Sequence, residues 1–155
     1  MKPITTVGVV GVGTMGSAIA QYFIMKGLPV ILVDQKQEFL ERGTGYIRES
    51  LGEALERRLI DQLAFDQILG RLQCTTEQAE LAKADLVVEA IFENLEVKKG
   101  LFAELEKVVS ADCILASNTS SFLIGEIAAD LQTPERVVGV HYFYHAAKNK
   151  LVELI

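Results

Sequence analysis

A chain of 155 residues, half of them hydrophobic, is the size of one domain and has enough apolar surface for a core, which excludes the disordered class. Its formal net charge of −6 argues against a nucleic-acid partner, so an anionic ligand would need local donors rather than a global field. No apolar run reaches membrane-spanning length and no secretory pattern opens the chain, so the expectation is a cytoplasmic protein without membrane contact, although an organelle form stripped of a transit peptide fits as well.

Ile4 to Val10 is a short apolar run ending in glycines and reads as a buried strand. Thr14 to Lys26 carries small and apolar residues at helical spacing, with Gly27 placed to cap it. Pro29 then opens a second strand, Val30 to Val33, which stops at Asp34; proline suits a strand's first residue, where no ladder donor is needed. Gln37 to Leu69 predicts a helical hairpin longer than a strand-to-strand crossover requires. Ile47, Leu51, Leu55 and Leu59 recur there at steps of four, and Asp61 is placed to cap a second short helix. Gly43, Gly45 and Gly52 weaken the first helix, each by about 1 kcal/mol relative to alanine.

Arg71 to Thr75, Leu86 to Ala90, Cys113 to Ser117, Val137 to His141 and Leu151 to Ile155 read as further strands. Between them lie helical stretches over Leu95 to Val109, with Val97, Leu101, Leu105 and Val108 on one stripe, and over Phe122 to Leu131. Strand and helix alternate throughout, which predicts an α/β fold with a mostly parallel sheet covered on both faces. Cys74 and Cys113 lack metal-ligand spacing and read as buried free thiols, so no metal is expected. Residues 1–155 form one domain by this reading. Its end on a β run, with no turn or polar tail, predicts a piece of a longer polypeptide.

Gly11-Val12-Gly13-Thr14-Met15-Gly16 leaves the first strand and opens the first helix, the context in which G-x-G-x-x-G signals a doubly wound Rossmann fold that binds a dinucleotide. Gly11 permits the turn, Gly13 lets backbone amides approach a pyrophosphate, and Gly16 lets helix and strand pack closely. Free amides and the positive dipole end of the helix, at Thr14 and Met15, favour the anion. Asp34 stands eighteen residues after Gly16, where a carboxylate accepts from ribose hydroxyls and repels a 2′-phosphate. NAD is therefore favoured over NADP, with Lys36 nearby as a dissenting charge; FAD and SAM use related turns.

The chain has two histidines, His141 and His145, both just past a strand's carboxyl end, where open α/β sheets bind ligands. A histidine can take a hydroxyl proton near neutral pH, and works better when a carboxylate holds its other nitrogen. Glu153 is a candidate for that carboxylate, because the chain turns at Asn149 and returns as a strand. On the residues alone, a structural histidine is an equally good reading.

Further stretches line up in order: Val-Gly-Thr-Met-Gly-Ser after Gly11, Leu32-Val33-Asp34, Val88-Glu89-Ala90 and Glu93-Asn94-Leu95. Ala116-Ser117-Asn118-Thr119-Ser120-Ser121, Gly139-Val140-His141-Tyr142-Phe143 and Leu151-Val152-Glu153 follow. Through these residues the sequence as a whole resembles the N-terminal, NAD-binding domain of the L-3-hydroxyacyl-CoA dehydrogenases, including the 3-hydroxybutyryl-CoA enzymes. The resemblance implies NAD-dependent oxidation of an L-3-hydroxyacyl-CoA to the 3-oxoacyl-CoA, with His141 as general base and Glu153 as its orienting carboxylate. It further implies cofactor contacts from Glu93, Lys98 and Ser120, with Ser120 between nicotinamide and substrate, and coenzyme A contacts from Ser50 and Arg57 on the hairpin. Each has a plainer reading: Ser120 and Ser121 as helix caps, Lys98 and Arg57 as solvated side chains, Glu153 as a residue facing water.

Two departures stand out. The family follows its histidine with two aromatic or apolar residues, an asparagine and a proline; Tyr144 and His145 hold the last two positions here. The family's helical C-terminal domain, which closes over the acyl chain and forms the dimer contact, is absent, so the domain alone is expected to bind NAD and turn over poorly, while a full-length form would be a homo-oligomer. Tyr144 keeps open an NAD-binding module without dehydrogenase activity, and related enzymes leave open a dehydrogenase of a free hydroxy acid.

Overall fold

The computed structural model describes residues 3–149 and 151–155. In chain order the elements are β1 (Val7–Val10), α1 (Thr14–Met25), β2 (Val30–Val33), α2 (Gln37–Glu56), α3 (Gln62–Leu69), β3 (Leu72–Thr75), β4 (Leu86–Glu89), α4 (Leu95–Val108), β5 (Ile114–Ser117), α5 (Ile124–Ala128), β6 (Val137–Tyr142) and β7 (Val152–Leu154). They build one sheet in the order β3-β2-β1-β4-β5-β6-β7, parallel except for β7, which runs antiparallel to β6. This is the doubly wound Rossmann arrangement with a helical hairpin, α2 and α3, inserted between β2 and β3. The order reverses between β1 and β4, and a ligand crevice forms outside the strand ends at such a switch point.

Strand alternation divides the core. Val7, Val9, Leu32 and Val88 face α1 and α2, where they pack on Ile19, Phe23, Ile24, Leu40, Ile47 and Leu51. Val10, Ile31, Val33 and Val87 face the other way, onto Phe102, Leu105 and Ile127 of α4 and α5. β1, β2 and β4 are buried on both faces, which is why they read as unbroken apolar runs.

The hairpin forms as the sequence predicts, with Asp61 accepting from the Ala64 amide at 2.8 Å to cap α3. Its stripe ends earlier than the fourfold spacing suggests: Ile47 and Leu51 are buried, whereas Leu59 lies beyond α2 and is 74% exposed. Gly43 is no mere weakness. A Cβ there would meet Ser17 Oγ at 2.8 Å and the Val12 backbone oxygen at 2.9 Å, so the glycine lets α2 close onto α1. Gly43→Ala is expected to cost about 1–3 kcal/mol, as overpacking does; an unchanged urea midpoint would show that the contact gives way freely.

Three other expectations change. Cys113 is buried but Cys74 is exposed, because β3 is the edge strand, where the cover of the sheet runs out. On α4 the buried side chains are Lys98, Phe102 and Leu105, while Val97 and Leu101 line a cavity. α5 is only Ile124–Ala128: Thr119 Oγ1 accepts the amides of Ser121 and Phe122, and Glu106 accepts those of Gln132 and Thr133, which holds both flanks out of the helix.

Candidate active site

Gly11, at φ +99°, closes the turn after β1, and a Cβ on it would stand 2.6 Å from the Ala90 oxygen. A Cβ on Gly16 would fall 1.8 Å from the Gly11 oxygen, so α1 can start this close to β1 only with glycine there. Gly13 meets nothing within 4 Å and borders two cavities at the strand ends. α1 has no side-chain cap, so the amides of its first turn stay available to an anion.

The first cavity, of about 470 Å³, is bounded by Asp34, Gln35, Phe39, Ile91 and, from α4, Val97 and Leu101. Asp34 Oδ2 accepts from the Val12 amide at 2.9 Å and Oδ1 from the Gln35 amide at 2.7 Å. Each oxygen keeps a lone pair for a further donor, as two neighbouring hydroxyls would supply.

The second cavity, of about 600 Å³, brings together Thr14, Met15, Glu93, Lys98, Ser120 and His141. His141 and Glu153 are register partners across β6 and β7, so their side chains leave the same face of the ladder. His141 Nδ1 lies 2.9 Å from Glu153 Oε2. With the shared proton on Nδ1, Nε2 is left as the acceptor, which is the orientation a general base needs. The ring also stacks at a tilt on Phe143, with centroids 4.6 Å apart. Asn118 Oδ1 accepts from the Tyr142 amide at 2.8 Å and fixes the end of β6 against the end of β5.

Behind the cavity sits a buried ion network. Lys98 Nζ is 2.6 Å from Glu89 Oε1 and 3.1 Å from Glu93 Oε2, and the Lys98 and Glu89 side chains are 1% and 0% exposed. Glu89 also accepts from the Ile91 amide and from Ser117 Oγ, so one carboxylate ties the ends of β4 and β5 to α4. Glu93 accepts from Thr119 Oγ1 and the Ser120 backbone amide. Burial pushes the Glu93 carboxyl up, but these bonds and Lys98 outweigh it and hold it below its ordinary value. Lys98 is therefore not a solvated residue, and neither Ser120 nor Ser121 caps α5, whose N-cap is Leu123.

Ser50 lies elsewhere, accepting from Gln21 Nε2 at 3.0 Å in a groove of about 430 Å³ between α1, α2 and the Tyr144–Lys148 segment. Tyr144 borders both this groove and the His141 cavity, and so joins them. Arg57 caps the C-terminus of α2, is exposed and stays outside the groove's lining. The burial of His145 and the charge of Lys148 push its imidazole below the ordinary range, which weakens it as a second base. Sequence reasoning missed Glu89, Asn118 and Thr119 as site builders; a glutamate closing the apolar run Leu-Val-Val-Glu was the available signal. Among the described residues no cluster of three or more metal-ligating side chains forms, and no helix is long and apolar enough to cross a membrane.

The family model for the NAD-binding domain of 3-hydroxyacyl-CoA dehydrogenase matches residues 6–155. The chain is 44% identical, over 96% of its length, to a probable 3-hydroxybutyryl-CoA dehydrogenase of Deinococcus radiodurans, and spans 53% of that protein. It is 40% identical, over 98% of its length, to the fatty acid oxidation complex subunit alpha of Psychrobacter cryohalolentis, and spans 21% of it. The crystal structure of 3-hydroxybutyryl-CoA dehydrogenase from Escherichia coli K12 superposes with a TM-score of 0.96 at 42% identity, covering 99% of this chain and 32% of that one.

Proposed function

The chain belongs to the NAD-binding domain family of the 3-hydroxyacyl-CoA dehydrogenases, and from that premise we propose that it oxidises the 3-hydroxyl of an L-3-hydroxyacyl-CoA with His141 as general base. One observation carries the reading: His141, braced by Glu153, shares a cavity with Ser120 that opens at the glycine turn. NAD, the cofactor of this domain, fits the residues present, since the cradle admits no Cβ at Gly11 or Gly16 and Asp34 has acceptors to spare.

The first-turn amides of α1 would hold the pyrophosphate, and Asp34 would accept from the adenosine ribose hydroxyls. When bound, NAD supplies the acceptor for the hydride that leaves C3. His141 Nε2 removes the hydroxyl proton, and the Glu153 carboxylate stabilises the imidazolium that results. Ser120 would donate to the reacting oxygen, while Glu93 would contact the cofactor from the cavity wall, with Lys98 holding it in place from behind. Ser50 faces the substrate groove, and the exposed Arg57 meets a coenzyme A phosphate. Preorganised positioning of these groups carries most of the rate.

NADH formation from NAD and 3-hydroxybutyryl-CoA, measured with this domain inside a polypeptide of its relatives' full length, tests the assignment. Glu153→Gln is expected to slow turnover by on the order of 10²-fold or more while NADH affinity holds, because the ring loses its brace but the nucleotide site keeps its donors. Unchanged turnover in that variant would remove Glu153 from the mechanism. Tyr144, at the family's asparagine position, supports a second reading as an NAD-binding module; tight NADH binding with no turnover of any 3-hydroxyacyl-CoA in that same full-length polypeptide would favour it.

A further inference from the structure

The cavity at the Asp34 end contains a group that the oxidation leaves unused. Gln78, the first residue of a 3-10 turn over Gln78–Lys83, lines it, and Gln78 Nε2 is shut off from solvent without a hydrogen-bond acceptor. Such an orphaned donor costs about 1–3 kcal/mol and calls for an explanation. Neighbouring polar side chains are already engaged: Gln73 donates to Glu80, which also pairs with Lys83. The cavity's other walls are mostly apolar and in part aromatic, from Phe39, Ile91, Val97 and Leu101, with Asp34, Gln35, Thr76 and Glu104 as the remaining polar side chains on its border. An apolar slot with an amide on its border suits a planar heterocycle that presents a donor beside an acceptor. The amino edge of adenine is such a heterocycle, and a glutamine amide pairs with an adenine edge through two bonds.

We propose that Gln78 reads the base of the dinucleotide, its Oε1 accepting from the 6-amino group and its Nε2 donating to the adjacent ring nitrogen. The inference rests on the NAD reading of this cavity and adds a determinant of base specificity to it. Gln78 lies on a surface turn outside the core clusters, so substitutions there leave the fold intact.

Dissociation constants of NADH and of its 1,N6-etheno analogue, whose extra ring closes the amino edge, provide the test, measured by calorimetry on the purified chain. The unsubstituted chain is expected to prefer NADH by about tenfold or more, the lower range of one bidentate pair. Gln78→Met, close in shape but without the amide, is expected to weaken NADH about tenfold and to shrink the preference to about twofold. Gln35→Ala, which removes the exposed amide beside Asp34, is expected to keep the preference. A Gln78→Met chain that retains both affinity and preference overturns the proposal, as does loss of the preference in Gln35→Ala instead. A chain that binds neither dinucleotide overturns the underlying cofactor reading as well.

Discussion

His141→Ala is expected to lower turnover of a 3-hydroxyacyl-CoA by about 10²–10⁴-fold, the usual contribution of a positioned general base. NADH affinity is expected to stay within about threefold, since each 1.4 kcal/mol is tenfold and the ring makes no bond to the nucleotide cradle. The argument is geometric. Nδ1 is committed to Glu153, so only Nε2 is free for a substrate proton, and Phe143 packs against the ring. Alanine removes the acceptor without opening a core, because His141 belongs to neither core cluster. Turnover that survives the substitution would rule out His141 as the base, whatever the nucleotide site does.

Lys98→Met is expected to destabilise the fold by about 3–5 kcal/mol, the cost of stranding one member of a buried ion pair. The stranded partner is Glu89, which no solvent reaches and whose remaining donors are Ile91 N and Ser117 Oγ. NADH affinity is expected to fall too, since Glu93 loses its closest cation and with it part of its hold on the Thr119–Ser120 turn. The double variant Glu89→Leu/Lys98→Met is expected to recover part of the stability but not the affinity, because it strands no buried charge while the Ile91 amide and Ser117 Oγ still lose their acceptor. Urea unfolding read beside NADH binding separates these effects. A single substitution costing under about 1 kcal/mol would mean that water reaches the network, as it does for surface pairs.

The elements easiest to read in the sequence were those whose local and global preferences agree. Gly27, at φ +88°, ends α1 where a left-handed cap is needed, and the four residues Val30–Val33 are buried on both faces as their composition demands. α5 was overestimated because helical periodicity in Phe122–Leu131 says nothing about Thr119 and Glu106, side chains that capture the backbone on either flank. The Glu89–Lys98 pair was hidden for a related reason. Charged residues read as solvent-facing by default, and only the approach of α4 to the end of β4 removes the water from both. His141 and Glu153 were legible as a candidate pair because the strand return was legible. Base recognition by Gln78 was not, since a glutamine in a turn carries no pattern of its own.

The pairing of β6 with β7 has a consequence for how this site tolerates change. Glu153 faces His141 only because the ladder sets them opposite, with Val152 against Tyr142 and Leu154 against Val140. A slip of one residue would send the carboxylate to the opposite side of the ribbon and bring an aliphatic chain to the imidazole. Insertions and deletions between Phe143 and Leu151 therefore keep the His141–Glu153 pair as long as they leave the alignment untouched, and break it when they shift the frame by one.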